Sequence, residues 1–202
     1  MSAADAIGQL CAELGIDEPE GWVAYFHIAR SWDARTDLTS ARSDTELAEI
    51  LFLDAAQVIR GEWVEGPASL VDVGAGVGAP TIPILLADAT LHATLVEPRR
   101  KRTTFLRTAA GALGLANRTT MLEQKVDLAN PIVDGTPFGI ALSRATFAPR
   151  DWLSIGAQLA DEVWVLTAGT DVDPPAGLVL ARRLDYSVPS SGAPRRILGY
   201  RR

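Results

Sequence analysis

Residues 70–80 read Leu-Val-Asp-Val-Gly-Ala-Gly-Val-Gly-Ala-Pro, and this stretch constrains the fold more than any other. Leu70, Val71 and Val73 form a short apolar run, long enough for a buried strand and too short for a buried helix. Gly74, Gly76 and Gly78 then break it at alternate positions. Glycine there allows positive φ and lets a ligand approach the backbone. Pro80 and Pro83 follow, and both suit the first turn of a helix, where a missing N–H costs little. Strand, glycine loop and helix together open a parallel βαβ unit. Such a strand is covered on both faces, so the rest of the chain must supply parallel neighbours and helices.

The downstream pattern supplies them. A helix is expected over residues 81–87 and a strand over 91–96, ending at Glu97-Pro98. Phe105, Leu106, Ala109 and Leu113 recur at helical spacing over 101–113, and Gly114 stops that helix. Strands at 119–122, 138–142 and 163–166, with a helix at 152–159, continue the alternation. One or two edge strands are expected from the remainder. The fold class is therefore α/β, with a doubly wound, largely parallel sheet and an N-terminal helical extension. Ligands of such sheets bind beyond the carboxyl ends of the strands, where strand order reverses. The glycine loop, Glu97 and Ser143-Arg144 all fall at such ends.

Residues 1–66 are expected to form the extension or cap, and 67–202 the core. Helices are predicted over 3–14, from about residue 19, and over 45–59. The second carries Trp22, Tyr25, Phe26 and Ala29 on one stripe, with Trp32 nearby. Packing against the core is the ordinary use of such aromatics; a substrate-stacking surface is the other. In the third helix Asp54 interrupts the apolar stripe of Leu47, Ile50, Leu51 and Val58. It either edges the apolar face or points into a cleft.

Charge narrows the partners. The net charge is −6, and residues 1–66 hold thirteen acids against four bases. Arg99, Arg100, Lys101, Arg102 and Arg107 cluster after the second expected strand, and six further arginines follow position 181. An acidic total argues against a nucleic-acid protein, since phosphate contacts need a basic face; the local clusters keep that partner open. The single Cys11 excludes an internal disulfide and a cysteine-rich zinc site. No apolar run reaches 18 residues, so no membrane span is expected. The first ten residues carry Asp5 and no Lys or Arg, unlike a secretory leader. A cytoplasmic monomer without metal is the expectation.

The spacing G-x-G-x-G with Ala79 beyond is one residue short of the dinucleotide fingerprint. Asp72 helps to choose between ligands. A pyrophosphate disfavours a carboxylate beside it, whereas a ligand bearing a sulfonium and an ammonium group favours one. Glu97 lies about twenty residues beyond the glycines, where an acid can accept from ribose hydroxyls. S-adenosyl-L-methionine matches the glycines, Asp72 and Glu97 together, ahead of NAD.

Residues 72–86, the run Val96-Glu97-Pro98-Arg99-Arg100-Lys101-Arg102-Thr103-Thr104-Phe105-Leu106, Leu113-Gly114-Leu115 and Ser143-Arg144-Ala145-Thr146-Phe147-Ala148-Pro149 occur in an order that resembles the small-subunit rRNA guanine-N7 methyltransferase family, also called glucose-inhibited division protein B. Asp37-Leu38-Thr39 is similar to that family's Asn-Leu-Thr, and the likeness spans residues 30–168. The resemblance implies a class I methyltransferase fold using S-adenosyl-L-methionine, with rRNA of the small ribosomal subunit as partner. It carries Gly74, Gly76 and Gly78 onto the cofactor loop and Glu97 onto the ribose, and places Lys125-Val126-Asp127 near the adenine; Asp72, Ala75 and Pro98, beside these positions, are further candidate cofactor-binding residues. Arg144 falls at the lip where substrate enters, beside the cofactor. Departures cluster on the substrate side: Asp37 for asparagine, Leu51 for histidine, Ala55 for serine, Ala79-Pro80-Thr81 for Phe-Pro-Gly, and no lysine at Thr167-Ala168-Gly169.

Methyl transfer is an in-line displacement that depends on positioning, and guanine N7 needs no general base. The product is cationic, so Asp54 is a candidate stabiliser and, with Arg144, a candidate catalytic residue. His27, His92 and Cys11 sit at no motif. Ser143-Arg144-Ala145 also differs from the Asn/Asp-Pro-Pro-aromatic signature of amino-group methyltransferases. Three readings follow: an rRNA methyltransferase, a methyltransferase of a small-molecule or protein acceptor, and a non-catalytic S-adenosyl-L-methionine-binding module.

Overall fold

The computed structural model describes residues 2–64 and 68–202. The expected boundary at residues 66 and 67 lies outside them. The chain order is α1 (Ala3–Leu14), α2 (Trp22–Thr36), α3 (Asp44–Ala48), a π-helical turn (Glu49–Leu53), α4 (Asp54–Arg60), β1 (Ser69–Val73), α5 (Thr81–Ala87), β2 (His92–Val96), α6 (Arg100–Ala112), a 3-10 turn (Ala116–Arg118), β3 (Thr119–Leu122), β4 (Phe138–Ser143), α7 (Pro149–Leu159), β5 (Ala160–Thr167), β6 (Val179–Ser187) and β7 (Pro194–Arg201).

The seven strands form one sheet in the order β3-β2-β1-β4-β5-β7-β6. Strands β1 to β5 run parallel, and β7 and β6 add antiparallel at the far edge. Strand order reverses between β1 and β4, which puts the glycine loop at the switch point. The expected alternation is thus borne out, and the expected edge strands are two.

Period-2 alternation divides each strand between two cores. Leu70, Leu95 and Leu142 join α1 to α6 in one cluster; Val71, Val73, Val96 and Ala141 join α7 in the other. The first cluster explains the aromatic stripe. Trp22, Tyr25 and Phe26 are fully buried, and Trp22 stacks on Phe52 at 4.5 Å and 16°. Trp22 Nε1 donates to the Pro83 carbonyl at 3.2 Å, tying α2 to α5. These aromatics are packing residues, not a substrate platform.

Two local expectations need correction. Helix α2 starts at Trp22, because Gly21 caps it at φ 88°. A side chain there would meet Leu86 Cδ2 at 2.9 Å. The expected helix over 45–59 does not run as a single α-helix: residues 49–53 form a π turn with i→i+5 bonding. That turn brings Glu49 and Asp54, five residues apart, towards Ser190 and Tyr186 of the β6–β7 hairpin.

Candidate functional site

The glycine loop is folded by its own backbone. Gly74, Gly76 and Gly78 have φ of 81°, 57° and 82°, all in the left-handed region. Gly74 and Ala75 both donate to the Val96 carbonyl, at 2.8 and 3.1 Å, binding the loop to the end of β2. Gly78 N–H closes a tight turn on the Ala75 carbonyl at 2.6 Å. A Cβ on Gly78 would meet Ile82 and Leu106 at 2.6 and 2.8 Å, so this glycine serves close packing. A Cβ on Gly76 would meet nothing nearer than Arg102 Nη1 at 3.7 Å. The open face of the loop is therefore at Gly76.

Three side chains from other elements fix the loop. Ser143 Oγ donates to the Val73 carbonyl at 2.7 Å, bridging the ends of β4 and β1. The Tyr25 hydroxyl donates to the Val77 carbonyl from α2. Glu97, buried at the end of β2, accepts from Gly76 N–H at 3.0 Å and Arg99 N–H at 2.9 Å. Each Glu97 oxygen thus holds one backbone donor and keeps a lone pair for a further one.

Asp72 is buried, and its Oδ2 accepts from Thr81 Oγ1 at 2.7 Å. Burial raises its pKa to about 7; the Thr81 bond and Arg144 oppose the rise, and Glu97 adds to it. Thr81 is the first residue of α5; its place among the substrate-side departures needs correction, because its hydroxyl bonds the buried acid of β1. Val126 is buried in one cluster with Val73 and Val96. Asp127 is exposed and accepts from Ala129 N–H at 2.9 Å in a local turn. Pro98 is exposed just past β2.

Asp54 and Arg144, 90 residues apart, meet. Arg144 Nη1 donates to Asp54 Oδ2 and to the Ile50 carbonyl, both at 2.9 Å. Tyr186 donates its hydroxyl to Asp54 Oδ1 at 2.6 Å. Asp54 therefore has a donor on each oxygen. After Arg144 the chain passes through Ala145 at φ 56° and lays Thr146 against Gly74. A non-glycine residue in that region carries strain of about 1 kcal/mol or more, held here by the contacts on either side.

A cavity of about 240 Å³ opens at the ends of β4 and β5. Ser143, Phe147, Trp152, Val165, Thr167 and Thr170 line it, so its wall is aromatic and hydroxylic without a charged group. The basic clusters do not merge. Arg99 to Arg102 lie at α6, towards the β3 edge, whereas the later arginines lie on β6 and β7 at the other edge. Arg183 and Arg196 pair with Asp171 and Asp185, and Arg201 pairs with Glu162. Among the described residues no group of three or more His, Cys, Asp or Glu could hold a metal ion, and no helix is long and apolar enough to cross a membrane.

Comparison with known proteins places this geometry. The family model described as rRNA small subunit methyltransferase G matches residues 20–165. The ribosomal RNA small subunit methyltransferase G of Clostridium beijerinckii is 32% identical over 133 residues, 66% of this chain and 56% of that protein. Its Clostridium perfringens namesake is 28% identical over 143 residues, 71% of this chain and 59% of that one. The chain spans little more than half the length of these curated relatives. Among solved structures, magnesium protoporphyrin IX methyltransferase from Synechocystis, with bound SAH, superposes with TM-score 0.57 at 18% identity, covering 88% of this chain and 99% of that one. A putative RNA methyltransferase from Pyrococcus horikoshii gives 0.53 at 15%, covering 88% and 98%. The fold is that of the Rossmann-like class I methyltransferases.

Proposed function

Because the chain belongs to the rRNA small subunit methyltransferase G family, we propose that it transfers a methyl group from S-adenosyl-L-methionine to a guanine N7 of small-subunit rRNA. The observation that carries this reading is the pair of buried acids, Asp72 and Glu97, on either side of a glycine loop that is open only at Gly76. S-adenosyl-L-methionine would supply the electrophilic methyl on a positive sulfur. The chain's residues would bind and align it. Glu97 offers its spare lone pairs to the ribose hydroxyls, and the Gly76 backbone lies beneath. Val126 supplies apolar contact on the adenine side, with Pro98 and Asp127 at the rim. Asp72 supplies negative charge at the carboxyl end of β1. Arg144 stands at the lip and orients the acceptor. Asp54 acts through Arg144, whose Nη1 it holds at 2.9 Å. Residues 2–64 act as a cap whose aromatics hold α5 and the loop.

The donor half is tested by calorimetry with S-adenosyl-L-methionine and, in parallel, NAD. Binding of the first and not the second is expected; the reverse would contradict the reading. The titration also has a pH sign. Asp72 titrates near 7 in the folded chain against 3.8 unfolded. Between those values the folded state holds a proton that the unfolded state has lost, so stability falls as pH rises towards 7. A cationic ligand favours the ionised acid. Affinity should therefore rise about severalfold between pH 6 and 8, with proton release, and Asp72→Asn should remove the dependence. A flat profile in the native chain would reject this role for Asp72.

A second reading, a small-molecule acceptor, is favoured by the ion-paired arginines of β6 and β7 and by the uncharged cavity. The basic start of α6 supports RNA. Label transfer to small ribosomal subunits separates the two.

A further inference from the structure

We propose that Tyr186 is a positioning residue: through Asp54 it holds the Arg144 guanidinium at the lip of the cleft, so that the β6–β7 hairpin completes the acceptor side of the site. Its effect on turnover rests on the methyltransferase reading; its effect on Arg144 does not. The hairpin lies wholly beyond residues 20–165, the part that matches the family model, so it brings Tyr186 from outside the matched region onto Asp54 and Arg144 inside it.

Five hydrogen bonds carry the argument. Tyr186 donates to Asp54 Oδ1 at 2.6 Å, and Arg144 Nη1 donates to Asp54 Oδ2 at 2.9 Å. The same Nη1 donates to the Ile50 carbonyl at 2.9 Å. Ile50 lies inside the π turn, where the i→i+5 pattern displaces a carbonyl from its α-helical partner and leaves it open to a side chain. Glu49, at the start of that turn, accepts from Ser190 N–H at 2.7 Å and Ser190 Oγ at 2.6 Å. The hairpin thus grips both ends of the turn, by Ser190 on Glu49 and by Tyr186 on Asp54. The turn in turn presents two acceptors to one guanidinium nitrogen.

A guanidinium is a rigid planar fork, so two acceptors on Nη1 fix where its other N–H groups point. Nε and Nη2 have no hydrogen-bond partner among the described residues, and the Arg144 side chain is 26% exposed. Those donors remain for the acceptor. Without the Tyr186 hydroxyl, Asp54 Oδ1 loses its donor in a site where the residue is 8% exposed. The carboxylate then turns to share both oxygens with Arg144, and the fork turns with it. The neighbouring contacts should persist: Ser143 on Val73 and Glu97 on Gly76 are made by other residues.

Tyr186→Phe in the full chain tests this, since it removes the hydroxyl and keeps the ring. The first readout is the signal of the Arg144 Nη1 hydrogens, the ones bonded to Asp54 and Ile50, in an arginine-labelled sample, assigned with Arg144→Lys. Their exchange should quicken about tenfold in Tyr186→Phe. Calorimetry should find affinity for S-adenosyl-L-methionine within about twofold of native. With small ribosomal subunits as acceptor, kcat/KM should fall about tenfold. Unchanged Arg144 exchange would overturn the proposal. So would a parallel loss of cofactor affinity and melting temperature, the mark of a merely structural residue. If the native chain methylates nothing in the subunits, the functional reading fails while the Arg144 exchange still decides the role of Tyr186.

Discussion

Arginine in place of Gly76 is expected to lower affinity for S-adenosyl-L-methionine at least about a hundredfold, roughly 2.7 kcal/mol, while the chain stays folded. The space around Gly76 makes the variant informative. A Cβ there meets Arg102 Nη1 only at 3.7 Å and the Gly74 carbonyl at 3.8 Å. The cost to the fold is the positive φ of 57°, about 1 kcal/mol for a residue with a side chain. The new side chain has only the open face of the loop to enter. It would bring a positive charge beside Arg102 and in front of a ligand that is itself cationic. Calorimetry and thermal melting of the same sample check both halves. Native affinity would mean that the ligand does not lie against this face. Gly78 would not serve the purpose, because its side chain would collide with Ile82 and Leu106 and unsettle the core.

Trp22→Ala should destabilise the chain by about 3–5 kcal/mol, the range for deleting a buried large aromatic. Trp22 is wholly buried, stacks on Phe52 and donates to the Pro83 carbonyl. Its removal leaves a cavity between α2, the π turn and α5, and a carbonyl without its donor. Trp22→Phe keeps most of the stack and loses the N–H, so about 1 kcal/mol is expected. Urea unfolding of the two variants checks the ratio. Equal losses would assign the stability to the hydrogen bond rather than to packing. Affinity for S-adenosyl-L-methionine should fall in Trp22→Ala as well, since α5 follows the loop directly and Tyr25, on α2 with Trp22, holds Val77.

The parts of the fold that were legible in the sequence are those set by local chemistry. Alternating apolar residues and glycines are enough to place β1, the loop and α5, because a buried strand ending at a positive-φ turn leaves few alternatives. The aromatic stripe of α2 was legible as packing for the same reason: its spacing is a helical face. Asp54 was not legible. Its partners are Arg144 and Tyr186, 90 and 132 residues away, and no local pattern separates a buried acid with two donors from an acid at a helix edge. The π turn was hidden likewise. The sequence of residues 45–59 is good α-helix throughout, and the departure coincides with the guanidinium of Arg144, the residue after β4, bonded to the Ile50 carbonyl. Glu97 was placed correctly at the end of β2, yet its first partners are the backbone N–H groups of Gly76 and Arg99. The acid that could bind the ribose therefore also builds the loop.

That double duty ties the donor to the glycine loop with which the sequence begins to be readable; the acceptor depends on the other side of the cleft. The central claim is that a methyl group held at this loop reaches guanine N7 in small-subunit rRNA. The most direct measurement supplies the purified chain with methyl-labelled S-adenosyl-L-methionine and small ribosomal subunits lacking N7-methylguanosine, then digests the rRNA to nucleosides. Label in N7-methylguanosine, lost in Gly76→Arg, is the predicted result. Label absent from every rRNA nucleoside, in a sample that binds S-adenosyl-L-methionine, would contradict it.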